Sequence, residues 1–163
     1  MHKKILPVLF SLLCLFIFEG CAQTTVAFLD ASVTASGDTS GAQSSRVRVN
    51  FTNFVGSKQG DNLKLSFSNP EGDTLDFVVA PQNGSFPVAS YDIDGKSANA
   101  FSAKVTVISN LTPQTLTLTS SNGFVNILAI NISDGTLVSV GGNFKVNIDG
   151  GGAAEGTFNT ASN

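Results

Sequence analysis

The sequence is poor in the side chains on which most enzymes depend. Its 163 residues include one histidine, two cysteines, one tyrosine and no tryptophan. His2 and Cys14 both lie in the apolar N-terminal segment, which has the features of a removable signal peptide. Its removal leaves Cys21 alone, so no intramolecular disulfide can form. It also excludes Ser-His-Asp, Cys-His and histidine-ligated zinc chemistry. We therefore expect no enzyme activity, no catalytic residues, no metal site and no cofactor.

Charged residues are scarce as well, at 13% of the chain with a net charge of −3. The basic residues are scattered and form no stripe, so no nucleic-acid partner is expected. Ser, Thr, Asn and Gly take the place of charges, which is typical of extracytoplasmic β domains rather than of disordered tails. The length is that of a single domain.

The N-terminus has the layout of a secretory signal peptide. A basic pair precedes an apolar run over residues 5–18, which is followed by Gly20 and Cys21. A basic start, a short apolar core and a small residue at the exit characterise such signals. The run is too short for a comfortable membrane span, which needs roughly 20 residues. We therefore predict that residues 1–20 form a signal peptide.

The tetrad Phe18-Glu19-Gly20-Cys21 resembles the end of bacterial lipoprotein signals, in which an apolar residue and two small ones precede the lipidated cysteine. Gly20 and Cys21 fit this pattern, whereas Glu19 stands where a small residue is usual. The resemblance implies that Cys21 is the lipid attachment site and that the membrane is a partner through this anchor. Two alternatives stay open. Cleavage after Ala22 would release a soluble chain, or Cys21 is simply a small apolar residue.

After the signal, apolar residues recur at every second position, the period of β-strands. The alternating segments are residues 46–51, 63–67, 75–79, 86–93, 103–107, 115–119, 124–132, 137–140 and 144–148. Residues 124–132 are apolar nearly throughout and suggest a central strand covered on both faces. We assign residues 21–45 to a tether in which 26–33 is compatible with a first strand, and residues 46–163 to a single β domain.

Turn-forming pairs separate these segments, about 10–15 residues apart, which matches the turn spacing of a sandwich or barrel. The pairs are Glu71-Gly72, Asn83-Gly84, Asp94-Gly95, Asn122-Gly123, Asp134-Gly135 and Asp149-Gly150. Asn-Gly and Asp-Gly supply the positive φ that tight hairpins require. The sequence thus predicts an all-β fold, an antiparallel β-sandwich of about eight or nine strands in a meander. The alternative is a small open β-barrel.

Two similar turns invite comparison with calcium loops, Asp92-Ile93-Asp94-Gly95 and Asn147-Ile148-Asp149-Gly150. An EF-hand loop needs glycine at its sixth position and a bidentate glutamate at its twelfth. Here glycine comes fourth, and the twelfth position counted from Asp92 is Ala103. We interpret both segments as Asp-Gly hairpin turns. We also expect Tyr91 to be a cross-strand packing residue rather than a binding residue.

The last third of the chain contains residues 124–127 (FVNI), 141–146 (GGNFKV) and 155–159 (EGTFN). This pattern of a G-x-F strand, a polar turn and a closing G-T-F-N resembles the ending of small envelope lipoproteins of Bacteroidetes type. The resemblance implies an all-β envelope lipoprotein and brings no catalytic residues. No acidic cluster follows Cys21, which within that phylum favours an outer-membrane lipoprotein facing the periplasm.

The expected function is that of a non-catalytic structural or binding component of the cell envelope, with an envelope protein or a glycan as partner. The alternative is a secreted or surface-attached module that binds carbohydrate or protein, as an adhesin does. Such a module would have to use phenylalanine for aromatic stacking, because tryptophan is absent and Tyr91 is the sole tyrosine.

Overall fold

The structure of the protein is a computed structural model that describes residues 24–34, 44–109 and 111–161. Its regular secondary structure in these ranges consists of eleven strands. They are β1 (Ala27–Thr34), β2 (Ser44–Phe51), β3 (Asn53–Gln59), β4 (Asn62–Ser68), β5 (Thr74–Val79), β6 (Ala89–Ile93), β7 (Ala100–Ser109), β8 (Thr112–Ser120), β9 (Asn122–Ser133), β10 (Thr136–Asn147) and β11 (Gly152–Asn159). These ranges contain no helix with the length and apolar character to cross a membrane.

The strands form two antiparallel sheets around one apolar core. Sheet A has six strands in the order β2-β1-β11-β10-β9-β6, and sheet B has five in the order β3-β4-β5-β7-β8. Buried side chains of both sheets belong to the same core cluster. The predicted antiparallel β-sandwich is confirmed, and the barrel alternative is not observed. The described residues form eleven strands rather than eight or nine.

The strand order also differs from the expected meander. β1 pairs with β11, with Ala27 opposite Phe158, and β6 pairs with β9. β1 is hydrogen-bonded to β2 on its other side. The segment at 26–33, which is compatible with a first strand, thus contributes to β1 (Ala27–Thr34), a strand in the interior of sheet A.

The interpretation of residues 124–132 as a strand covered on both faces is wrong. Only Val125 and Ile127 of this segment are buried, and β6 pairs with β9 no further than Ile127. Beyond that point β9 and β10 continue as a hairpin past their neighbours, and we call residues 128–140 the arm. Its Leu137 packs against β3, where a Cβ on Gly56 would lie 2.6 Å from a Leu137 methyl carbon. Val125 and Ile127 of this apolar run are thus buried in the core, whereas residues 128–132 belong to the arm.

Two turn predictions have opposite outcomes. Asp134 and Gly135 have φ values of 50° and 73° and join β9 to β10, as expected of a type I′ hairpin. Asn122 and Gly123, in contrast, are the first residues of β9 and do not form a hairpin turn. β8 belongs to sheet B and β9 to sheet A, so the chain changes sheets there through Ser121 alone.

Phenylalanine rings fill the space between the sheets. Phe77 of sheet B lies 5.0 Å from Phe144 and 5.7 Å from Phe158 of sheet A, measured between ring centroids. Phe67 of sheet B lies 5.5 Å from Phe158. These tilted arrangements are ones that aromatic pairs prefer. The rings therefore hold the two sheets together across the centre of the core.

The G-x-F pattern of the sequence has a direct packing role. β10 and β11 each contain it, and their antiparallel register places Gly142 opposite Phe158 and Gly156 opposite Phe144. A Cβ on Gly142 would lie 2.7 Å from Cζ of Phe158, and a Cβ on Gly156 would lie 2.7 Å from Cε1 of Phe144. Each glycine thus leaves room for the ring of the opposite strand.

The strand directions in sheet A define two ends of the sandwich. The proximal end holds Thr24, where the described chain begins, and Ala161, because the backbone N–H of Asn159 donates to Val26 at 2.8 Å. The arm projects at this same end. The distal end carries the β6–β7 and β10–β11 loops and the β8–β9 crossing at Ser121.

Candidate functional site

The predicted lipid attachment site, Cys21, lies outside the described residues. Thr24 follows it by three positions. Thr24 lies at the proximal end of the sandwich, immediately before β1. A group attached to Cys21 would consequently be separated from this end by only three residues of chain.

The first of the calcium-like segments, residues 92–95, is a turn in which the Asp94 carboxylate accepts hydrogen bonds from the backbone. Oδ1 of Asp94 accepts the backbone N–H of Ser97 at 2.6 Å and that of Lys96 at 2.9 Å. These hydrogen bonds, led by the one from Ser97, lower the pKa of Asp94 to about 2. The carboxylate thereby stabilises the β6–β7 loop.

The second segment is built in the same way. Asp149 accepts the Ser121 hydroxyl at 2.8 Å, the Thr119 hydroxyl at 3.0 Å and the Ser121 backbone N–H at 3.0 Å. The Ser121 and Thr119 hydroxyls are the main causes that lower the pKa of Asp149. Asp149 thus ties the β10–β11 turn to the crossing between the sheets. Across the ranges that the structure describes, no three His, Cys, Asp or Glu residues are grouped so as to hold a metal ion.

Tyr91 packs in the core, as the sequence predicts. It is 1% exposed, and its hydroxyl donates to the Pro87 carbonyl at 2.9 Å. Burial raises the pKa of this phenol. Through this hydrogen bond Tyr91 holds Pro87, in the segment that leads into β6, and its buried side chain is not accessible to a ligand.

Asp73 is a buried carboxylate with a structural position. Its Oδ1 accepts the backbone N–H of Thr106 at 2.7 Å, and its Oδ2 accepts the side-chain amide of Asn69 at 3.0 Å. The side-chain Oδ1 of Asn69 in turn accepts the Asp73 backbone N–H at 2.9 Å. These bonds connect the β4–β5 turn to β7 and occupy both oxygens of the carboxylate.

The outer face of sheet A presents a row of charges across the strands. Arg46 donates to Asp30 from Nε at 2.8 Å and from Nη2 at 2.6 Å, and Arg48 donates to it at 3.0 Å. The hydrogen bonds from Arg46 are the largest cause that lowers the pKa of Asp30 to about 2. Glu155 lies opposite Asp30, and Lys145 lies opposite Glu155 with 3.4 Å between Nζ and Oε2.

Two phenylalanines stand among these polar residues. Phe28 on β1 and Phe124 on β9 alternate with buried neighbours, and both are half-buried on the outer face. They lie three strands apart, about 14 Å across the sheet, and Phe124 is in line with Asp30 rather than with Phe28. Between and beside them, the side-chain amide of Asn126 donates to the Asn143 side chain at 3.0 Å. The face combines two ring surfaces with charged groups and amides, and we call it the polar face of sheet A.

Sequence reasoning did not single out Phe28 or Phe124. The signal that could have identified them is strand parity, because each is flanked by residues that point into the core. Ala27 and Leu29 are buried on either side of Phe28, and Val125 is buried next to Phe124. In both segments, residues on the two faces of the strand are apolar and follow one another in sequence. The alternation that would identify the outward-facing ring is therefore absent.

No family model, curated protein or solved structure matches the chain. The functional assignment is therefore based on the signal segment and on the surfaces of the sandwich.

Proposed function

We propose that this chain is an exported lipoprotein that is anchored through Cys21 and acts as a non-catalytic structural or binding component of the cell envelope. The observation that carries the proposal is the position of Cys21. It closes a signal-like segment and precedes the first described residue of the sandwich, Thr24, by three positions. Gly20 before it fits the requirement for a small residue at the cleavage point.

The short spacing has a geometric consequence. Three residues extend over at most about 10 Å. A lipid on Cys21 would therefore hold the sandwich against the bilayer, with the proximal end facing the lipid. The absence of an acidic cluster after Cys21 favours an outer-membrane lipoprotein that faces the periplasm. We propose an envelope protein or a glycan as its partner.

Replacing Cys21 with serine tests the anchor. In a bacterium that processes lipoproteins, the mature wild-type chain should begin at Cys21 and carry the mass of a diacylglycerol, and it should be recovered with membranes. Cys21→Ser removes the thiol that forms the thioether, so the lipid mass should be absent and the protein should leave the membrane fraction. Intact mass of both fractions measures this.

Cys14→Ser is the matched control, because Cys14 lies within the signal that is removed. This variant should yield the same lipidated mature chain as the wild type. A wild-type chain that begins at Gln23 without lipid would contradict the anchor and would show cleavage after Ala22 instead.

A second candidate, a glycan-binding module, is favoured by the polar face of sheet A. Phe28 and Phe124 offer apolar ring surfaces, Asn143 offers an amide on β10 between the strands that carry them, and Asn126 offers another on β9 beside Phe124. Protein sites for polar ligands combine apolar contact with a few placed hydrogen-bonding groups. This surface needs no anchor, so it also suits the secreted or surface-attached, adhesin-like alternative.

Binding to an array of envelope and extracellular glycans tests this candidate. Phe28→Ala and Phe124→Ala should each weaken retention by at least about fivefold, since an aromatic contact contributes about 1 kcal/mol. Thr117→Ala, on the exposed outer face of sheet B, should leave retention unchanged. Equal retention of all three variants would contradict a role for the polar face.

A further inference from the structure

The side chains on the polar face of sheet A are arranged in rows that cross the strands. In an antiparallel sheet, residues that pair across neighbouring strands point to the same face. The pairing register therefore assigns each outward side chain to a row. One row crosses all six strands of sheet A, and we call it the neutral row. From β2 to β6 it consists of Asn50, Phe28, Thr157, Asn143, Asn126 and Ser90.

The adjacent row, two residues away along each strand, has a different character. We call it the charged row, because Phe124 is its only member without a charge. From β2 to β6 it consists of Arg48, Asp30, Glu155, Lys145, Phe124 and Asp92. Five charged side chains thus lie in this row, and the neutral row carries none.

The charges beside the neutral row are largely engaged with one another. Arg48 donates to Asp30 at 3.0 Å, and Nζ of Lys145 lies 3.4 Å from Oε2 of Glu155. An acidic ligand would have to compete with these carboxylates for the cations, and Asp92 would repel it. A basic ligand would have to displace the arginine and the lysine. The face is therefore better matched to an uncharged ligand.

The polar side chains of the neutral row can both donate and accept hydrogen bonds. Apart from Phe28, each member carries an amide or a hydroxyl. Both groups combine donor and acceptor capacity, whereas a lysine only donates and an ionised carboxylate only accepts. Sugar hydroxyls combine the same two functions. A row of such side chains therefore matches a chain of sugar hydroxyls without a charge on either partner.

Near the centre of the row, two amides hold each other in a fixed orientation. Nδ2 of Asn126 donates to Oδ1 of Asn143 at 3.0 Å. Oδ1 of Asn126 and Nδ2 of Asn143 have no protein partner in the ranges that the structure describes. An acceptor and a donor thus lie side by side on two half-buried side chains. Groups that are ordered in this way before binding lose little conformational entropy when a ligand arrives.

Phe28 supplies the apolar surface of the row, and the sheet supplies its length. The half-buried side chain of Phe28 lies between Asn50 and Thr157, its partners on β2 and β11. Ligand sites combine such apolar surface with a few placed polar groups, and sugar rings present C–H faces as well as hydroxyls. From β2 to β6 the row extends over five strand spacings, about 24 Å. A single sugar covers only a small part of this length, whereas an extended chain of several sugars covers it all.

We propose that the neutral row binds a neutral, linear glycan, which lies across the six strands of sheet A. This inference rests on the second candidate function, glycan binding by the polar face, and it specifies the chemical class and the direction of the ligand. Phe28 stacks against one sugar, and the amides and hydroxyls of the row bind the hydroxyls of the others. Phe124 borders the glycan beside Asn126, two residues away on β9.

Titration calorimetry of the mature protein with linear hexasaccharides tests the chemical class. The neutral probes are cellohexaose, xylohexaose, mannohexaose and chitohexaose. The charged probes are hexagalacturonate and the chitosan hexamer, which differs from chitohexaose only in lacking the N-acetyl groups. At least one neutral hexasaccharide should bind several-fold more tightly than either charged probe and than its own disaccharide. Raising NaCl from about 0.05 to 0.5 M should leave its affinity unchanged, because salt screens interactions between charges.

Substitutions at the two ends of the row test its length. Asn50→Ala on β2 and Ser90→Ala on β6 should each weaken binding of the hexasaccharide about threefold through loss of a hydrogen bond, because a ligand that spans the row contacts both. Thr157→Val keeps the shape, removes a hydroxyl within the row and should have a similar effect. Ser32→Ala is the matched control, because it removes a hydroxyl on the far side of the charged row and should leave the affinity unchanged. All four side chains are exposed, so folding should be unaffected.

Absence of binding by every neutral hexasaccharide would overturn the inference. Loss of affinity at high salt would also overturn it, as would unchanged affinity of both Asn50→Ala and Ser90→Ala. These results differ from failure of the candidate function itself. If only charged glycans bind and Phe28→Ala weakens them, the polar face binds glycans and the neutral class is wrong. If no glycan binds, both fail, and intact mass still decides the anchor at Cys21 separately.

Discussion

The Gly156→Ala variant should lose about 3 kcal/mol of unfolding free energy, although it adds only one methyl group. The new Cβ would overlap the backbone oxygen of Phe28 and would lie 2.7 Å from Cε1 of Phe144. The ring of Phe144 is itself confined by Phe77, 5.0 Å away between centroids, and by Phe101. Neither a backbone oxygen in a sheet nor a ring in a closely packed core can move aside cheaply. The loss should therefore reach the upper part of the range for overpacked cores.

Gly141→Ala is the matched control. Gly141 also lies in β10, and a Cβ there would meet no atom closer than 3.7 Å. This variant should change the unfolding free energy by less than about 1 kcal/mol. Urea unfolding followed by far-ultraviolet circular dichroism measures both, and similar values for the two variants would contradict the role assigned to the G-x-F pattern.

Phe77→Ala should be the most damaging substitution, with a loss of about 3–5 kcal/mol. The side chain is fully buried, and its ring contacts those of Phe67, Phe101, Phe144 and Phe158. Its removal leaves a cavity between the sheets and breaks aromatic contacts on both sides. Since small domains have a total stability of about 5–15 kcal/mol, much of this protein should be unfolded at moderate urea.

Phe28→Ala provides the comparison, because this ring lies half-buried on the polar face of sheet A instead of in the core. It should lose roughly 1 kcal/mol in the same unfolding experiment. Phe77→Leu, which retains much of the volume, should fall between the two. A Phe77→Ala loss no larger than that of Phe28→Ala would show that the rings do not hold the sheets together.

Local patterns in the sequence are sufficient to predict the fold class. Alternation at Leu63, Leu65 and Phe67 gives a strand with one buried face, and all three side chains are buried. Asn83 and Gly84 form the tight turn that their φ preference indicates, with φ values of 52° and 77°. Such signals depend only on neighbours in the chain, and the fold follows them.

The errors occur where a distant contact determines the local structure. β3 carries Gly56, Ser57 and Lys58 in place of an alternating apolar series, so its pairing with β4 is not visible in its composition. Asn122-Gly123 has the composition of a hairpin turn but begins a strand, because its neighbour β8 belongs to the other sheet. Neither relation can be obtained from residues that are adjacent in sequence.

The surfaces were harder to predict than the fold for the same reason. Phe28 and Phe124 become visible as outward rings only when the faces of β1 and β9 are known. Only the anchor at Cys21 is local, and it stays a prediction.

The pairing of the first strand with the last also determines how this chain must fold. Phe158 lies opposite Ala27, so that contact closes a loop of almost the full chain length and carries a correspondingly large entropic cost. Sheets dominated by such distant pairings fold in milliseconds to seconds rather than microseconds. A chain that emerges N-terminus first leaves one edge of β1 without its partner until β11 has appeared. The interval of greatest aggregation risk therefore lasts until the final residues are available.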